Sequence, residues 1–102
     1  MTKIVQLLIA DDHSVVRAGL RALLERQGNF RIVAEAATGE EAIAKAQEFQ
    51  PDVAVLDIRM PGLSGIEACR QIVETVPNCR VIMLTSYAED CLLYTSPSPR
   101  DS

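Results

Sequence analysis

Acidic and hydroxyl side chains recur at one kind of place in this sequence, directly after short apolar runs. Asp11-Asp12 follow Ile4–Ala10, Asp57 follows Val53–Leu56, and Thr85 follows Arg80–Leu84. If those runs are neighbouring strands pointing the same way, the carboxylates of Asp11, Asp12 and Asp57 meet at one edge. They repel one another there, and the arrangement is tolerable mainly when a hard cation such as Mg²⁺ neutralises it. Mg²⁺ takes oxygen ligands and keeps several waters. One or two of these carboxylates and a backbone carbonyl from the loop after Asp57 therefore suffice, and room is left for a phosphate. A carboxylate beside a metal can attack phosphorus, and the Thr85 hydroxyl can donate to a phosphoryl oxygen. Taken singly, each feature has a plainer reading: an Asp pair is a common helix cap and a threonine a common turn residue. Their repetition at strand ends favours a site.

The elements that would position these residues can be read from the spacing of apolar residues. Ile4–Ala10, Phe30–Ala36, Val53–Leu56 and Arg80–Leu84 are short apolar runs of strand length. Between them lie three helical stretches. The first starts at Ser14, carries the stripe Val16, Gly19, Leu20, Leu23 and Leu24, and stops at Gly28-Asn29. The second opens on a capping box, Thr38 to Glu41, and runs to about Gln50, where Pro51 breaks the pattern. The third opens on a second box, Ser64 to Glu67, with a stripe of Ile66, Cys69, Ile72, Val73 and Val76, and closes at Pro77-Asn78. The order βαβαβαβ with short connections implies a parallel, doubly wound α/β sheet with helices on both faces. In such a sheet ligands bind outside the carboxyl ends of the strands, where Asp11, Asp12, Asp57 and Thr85 fall.

At 102 residues the chain has room for one domain, and its 48% hydrophobic and 24% charged residues are globular in composition. A net charge of −4, with no basic run, argues against a grip on nucleic acid by this chain itself. Cys69, Cys79 and Cys91 are an odd set without CxxC spacing, which argues against both a disulfide framework and a zinc site. Cys69 and Cys79 read as small apolar fillers, and a reducing, cytoplasmic setting is expected. The apolar start is too short to span a membrane. His13 suits the start of a helix better than proton transfer and is read as structural.

Asp11-Asp12-His13, the run Asp57-Ile58-Arg59-Met60-Pro61-Gly62 with Gly65, and Thr85 together resemble a response-regulator receiver domain. The likeness covers Ile4 to Asp90, and VRAGLRALLE after the DDH is similar to the NarL/FixJ-like subfamily. The resemblance implies a flavodoxin-like sheet of order 2-1-3-4-5. It makes Asp57 the acceptor of a phosphoryl group from a sensor histidine kinase. Mg²⁺ is then held at Asp11, Asp12, Asp57 and the Arg59 carbonyl, with Asp11 acting chiefly through metal-bound water, and Thr85 contacts the phosphoryl group and moves with it. It also implies a signalling domain rather than an enzyme, with at most weak self-phosphorylation from small phosphodonors. Transcriptional output would run through a helix-turn-helix DNA-binding domain outside this chain, with phosphorylation-linked dimers in the complete protein. Two other readings remain open. A flavodoxin-like electron carrier needs a phosphate cradle where this chain has Asp11-Asp12, and a pseudo-receiver would keep the sheet without the acids.

Residues 1–90 are therefore expected to be a partial receiver that lacks helix four, strand five with its lysine, and helix five. Residues 91–102 follow no period and carry Pro97 and Pro99. Cys91–Asp101, CLLYTSPSPRD, resembles one reading frame of a transposon-end sequencing adapter. The expectation is a non-native tail.

Overall fold

The computed structural model describes residues 3–84. Seven elements follow in order: β1 (Val5–Ala10), α1 (Ser14–Glu25), β2 (Phe30–Ala36), α2 (Gly39–Phe49), β3 (Val53–Asp57), α3 (Gly65–Thr75) and β4 (Arg80–Leu84). The strands form one parallel sheet in the order β2-β1-β3-β4. The step from β1 to β2 runs one way across the sheet, and the steps β2 to β3 and β3 to β4 run the other way. With right-handed crossovers this reversal puts α1 on one face and α2 with α3 on the opposite face. The doubly wound reading of the sequence is the observed architecture.

Small residues bring the α2/α3 layer close to the sheet. Leu8, Ala10, Ala34, Ala36, Ala54 and Leu56 present one sheet face to Ala42 and Ala46 of α2 and to Ala68 and Ile72 of α3. Alternation along β1 sends Leu7 and Ile9, also buried, to the α1 side. Thr38 caps α2 as expected, its Oγ1 accepting the Glu41 N–H at 3.1 Å, while the Glu41 carboxylate accepts not from Thr38 but from the residue before it, the Ala37 N–H, at 2.8 Å. Gln50 ends α2 in the left-handed region at φ 50°. The second box forms by half. Ser64 accepts the Glu67 N–H at 3.2 Å, while the Glu67 carboxylate engages Arg70 and Gln71, and Arg70 holds it below the usual carboxylate range.

Two helix stripes differ from expectation. On α3 the buried line is Gly65, Ala68 and Ile72 with Cys69 partly covered, whereas Ile66 is 62% exposed and Val73 also faces outward. At the start of α3 the inward positions go to small residues, since a Cβ at Gly65 would stand 2.1 Å from the Asp57 carbonyl oxygen, and farther along the helix Ile72 is fully buried. On α1 no residue is fully buried; Leu20 and Leu24 are half-buried, while Val16 and Leu23 are exposed. Among the described residues α1 is the one helix on its face, so its apolar stripe has sheet on one side and nothing on the other. Thr85 and residues 91–102 lie outside the described residues.

Candidate functional site

The topological reversal falls between β1 and β3, and both strands end there in acids. The register pairs Ala10 with Leu56, so Asp11 and Asp57 emerge side by side. Both are buried, at 3% and 1% exposure. Burial chiefly, then the neighbouring charges of Asp11 and Asp12, pushes the Asp57 carboxyl above its ordinary value, against the pull of the Arg59 N–H. That N–H donates to Asp57 Oδ1 at 3.2 Å. The other oxygen, Asp57 Oδ2, is buried and has no hydrogen-bond partner among the described residues.

Backbone close to the acids is fixed from several sides. Asp11 donates its N–H to the Ala36 carbonyl at 3.0 Å, and its own carbonyl accepts from the Arg17 guanidinium. Arg17 Nε in turn reaches Glu35 at 3.3 Å, and Arg21 holds the same carboxylate at 2.6 Å, tying α1 to β2 under the loop. After β3 the Ile58 N–H donates to Leu84 at 2.8 Å, and the Ile58 carbonyl accepts from Gly65 at 3.0 Å. Gly65 has to be glycine, because a Cβ there would stand 2.1 Å from the Asp57 carbonyl oxygen. Gly62 turns the same loop at φ 74°. Buried Met60 anchors it.

Asp11, Asp12 and Asp57 are thus brought together as the sequence suggests. Arg59 lies in the loop directly after Asp57, its N–H on that carboxylate. His13 stands beside the acids as well as at the start of α1. It does cap α1, but its side chain makes no cap bond and turns instead to the acids. Its Nδ1 lies 3.1 Å from Asp11 Oδ1 and 3.0 Å from Asp12 Oδ1. The hydrogen bond to Asp11, then the Asp12 charge, raises the imidazole pKa above its ordinary value. One ligand atom from each of Asp11, Asp12, His13 and Asp57 lies within 4.8 Å of the others. The signal was adjacency: the chain's single histidine follows the acid pair directly. A concavity of about 460 Å³ along β2, lined by Arg21, Glu25, Ile32 and Lys45 among others, includes none of these groups.

The model of the response regulator receiver domain matches residues 7–94. The chain belongs to that family. Among curated receiver-containing relatives, the response regulator protein VraR of Staphylococcus aureus is 42% identical over 90 residues, which are 88% of this chain and 43% of that protein. The chain spans under half the length of such relatives. The response regulator domain of Thermotoga maritima CheB superposes with a TM-score of 0.79 at 38% identity, covering 82% of this chain and 62% of that one. The receiver domain of the putative response regulator NarL from Mycobacterium tuberculosis gives 0.78 at 31% identity, covering 90% and 74%. This receiver chain is accordingly a signalling domain of two-component response regulators. Its four described strands and three helices are an incomplete receiver sheet beside those structures. None of the described helices is long and apolar enough to cross a membrane.

Proposed function

We propose that Asp57 is the phosphoacceptor of this receiver and that Asp11, Asp12, Asp57 and the Arg59 carbonyl hold Mg²⁺. The observation that carries this reading is Asp57 Oδ2, a buried carboxylate oxygen with no donor among the described residues and with other acids beside it. An oxygen so placed is costly, by about 1–3 kcal/mol, unless a ligand satisfies it. The donor set fits Mg²⁺, since three carboxylates and a carbonyl are the hard oxygens that ion takes. When bound, the ion supplies charge neutralisation beside the reacting carboxylate.

The chain's own residues do the rest. A lone pair on Asp57 Oδ2 forms a bond to phosphorus while the donor's bond to phosphorus breaks. With a phosphohistidine donor the P–N electron pair returns to the imidazole, which takes up a proton; with acetyl phosphate, acetate departs with the pair. The Arg59 N–H fixes Oδ1 and leaves Oδ2 to react. Burial keeps water from the carboxylate. Thr85 next to Leu84 is the proposed phosphoryl contact and switch residue. In the longer protein, a sensor histidine kinase is the donor, a DNA-binding domain beyond this chain gives the output, and phosphorylation promotes dimers. The cytoplasm is the proposed setting. The receiver-derived part is assigned to residues 1–90 and residues 91–102 to a non-native tail.

Acetyl phosphate with Mg²⁺ should add one phosphoryl mass to the chain, slowly and substoichiometrically. Intact-protein mass spectrometry checks it, and equal labelling of Asp57→Asn would remove the assignment.

A further inference from the structure

The backbone of the acidic loop is gripped by a side chain from α1 that the phosphoacceptor reading leaves unused. Arg17 sits one turn into α1, its own N–H on the His13 carbonyl at 3.1 Å. Long helical side chains lean toward the helix start, and the Arg17 guanidinium reaches back to donate to the Asp11 carbonyl. Its Nε meets Glu35 of β2 at 3.3 Å, so the planar fork is braced between strand and loop. The Arg17 side chain is only 19% exposed, which for so long a group places it under the loop rather than in solvent. The Asp11 N–H is already tied to the Ala36 carbonyl at 3.0 Å. With the Asp11 carbonyl also held, the plane of the Asp11–Asp12 peptide is fixed, and with it the directions in which the two side chains leave the backbone. Asp12 needs such a restraint. Its side chain is 33% exposed and stands beside the like charges of Asp11 and Asp57, so repulsion favours turning it out to water.

We propose that Arg17 is a positioning residue: braced on Glu35, it holds the Asp11 carbonyl and thereby keeps the Asp11 and Asp12 carboxylates turned toward Asp57. The inference rests on the acidic-site reading above and adds the residue that preorganises it. Charge alone predicts the opposite sign. A guanidinium close to the acids repels a cation, so removing it without loss of position would tighten Mg²⁺ binding. Loss of position loosens it, because carboxylates that have spread apart must be regathered by the ion. Arg21 separates the two effects, since it pairs with the same Glu35 carboxylate at 2.6 Å but not with the Asp11 carbonyl.

The test uses the full, tag-free chain with Mg²⁺ as the probe. Calorimetric titration should show Mg²⁺ binding weakened about tenfold in Arg17→Met and within about twofold of wild type in Arg21→Met. The Mg²⁺ concentration that half-saturates Asp57 labelling by acetyl phosphate should rise in Arg17→Met by the same factor, whereas a role in packing alone lowers the thermal midpoint and leaves that concentration where it is. Arg17→Lys keeps the charge but cannot span both partners, and an affinity about threefold below wild type is expected of it. Far-UV circular dichroism checks folding, and if Arg17→Met is unfolded, Arg17→Lys decides alone. Mg²⁺ affinity in the folded Arg17 variants equal to or tighter than wild type, or the same loss in Arg21→Met, overturns the role of Arg17. A wild type that binds no Mg²⁺ overturns the acidic-site reading and this inference with it.

Discussion

At the scale of single residues, Asp57 is the group whose environment departs most from water. The fold keeps its carboxyl protonated to higher pH than the unfolded chain does, chiefly by burial. Stability from the protonated form is full below the unfolded carboxyl range and is lost as pH rises through the folded pKa. At neutral pH the ionised Asp57 therefore opposes folding. Asp57→Asn should raise the thermal midpoint in metal-free buffer near pH 7 and lose that advantage near pH 4. Each 1 kcal/mol gained corresponds to about 4–8 °C for a domain of this size. A differential scanning comparison at the two pH values checks it; no gain at neutral pH would mean that the buried charge is compensated. Gly65→Ala tests the close approach from α3. Its Cβ has nowhere to go against the Asp57 carbonyl, so a loss of about 1–3 kcal/mol and slower labelling are expected from denaturant melts and mass spectrometry. Of the site, the acids were legible because each ends an apolar run. The direction of the His13 side chain was not, because a residue at a helix start faces either its helix or its neighbours, and only the packed loop decides.

Among the elements, capping chemistry was the clearest sequence signal and helix faces the weakest. Thr38 and Ser64 start α2 and α3 where their boxes say, because a hydroxyl acceptor for the orphan N–H is a local matter. The stripes on α1 and α3 depended on what lies opposite, which periodicity does not contain. Ile66 and Val73 sit on the correct helix yet face solvent, since Gly65, Ala68 and Ile72 take the inward line. Ile82, 50% exposed on β4, carries a consequence. Among the described residues β4 is an edge strand, and an apolar edge templates pairing with other chains. Ile82→Lys should lower aggregation, measured by light scattering on incubation, while leaving the Asp57 mass shift within about twofold. If aggregation is unchanged, the edge is not the route.

For the whole molecule, topology was the most legible quantity, because alternating strands and helices with short connections leave few right-handed solutions. The observed order β2-β1-β3-β4 creates the reversal that sets Asp11 beside Asp57. The exposure of Val16 and Leu23 on α1 was not legible, since periodicity names a helix face and not what packs on it. Deletion of Cys91–Ser102 should leave Mg²⁺ affinity and Asp57 labelling within about twofold, near 0.4 kcal/mol, as read by calorimetry and mass spectrometry. A larger loss would make those residues part of the receiver. The central claim is that one carboxylate, Asp57, takes the phosphoryl group, and reductive trapping addresses it most directly. Borohydride converts an aspartyl phosphate to homoserine, so peptide mapping of the acetyl phosphate-treated chain identifies the acceptor. Homoserine at position 57 alone is the expected result; homoserine at position 11 or 12, or a phosphoryl group on His13 with Asp57 intact, would contradict it.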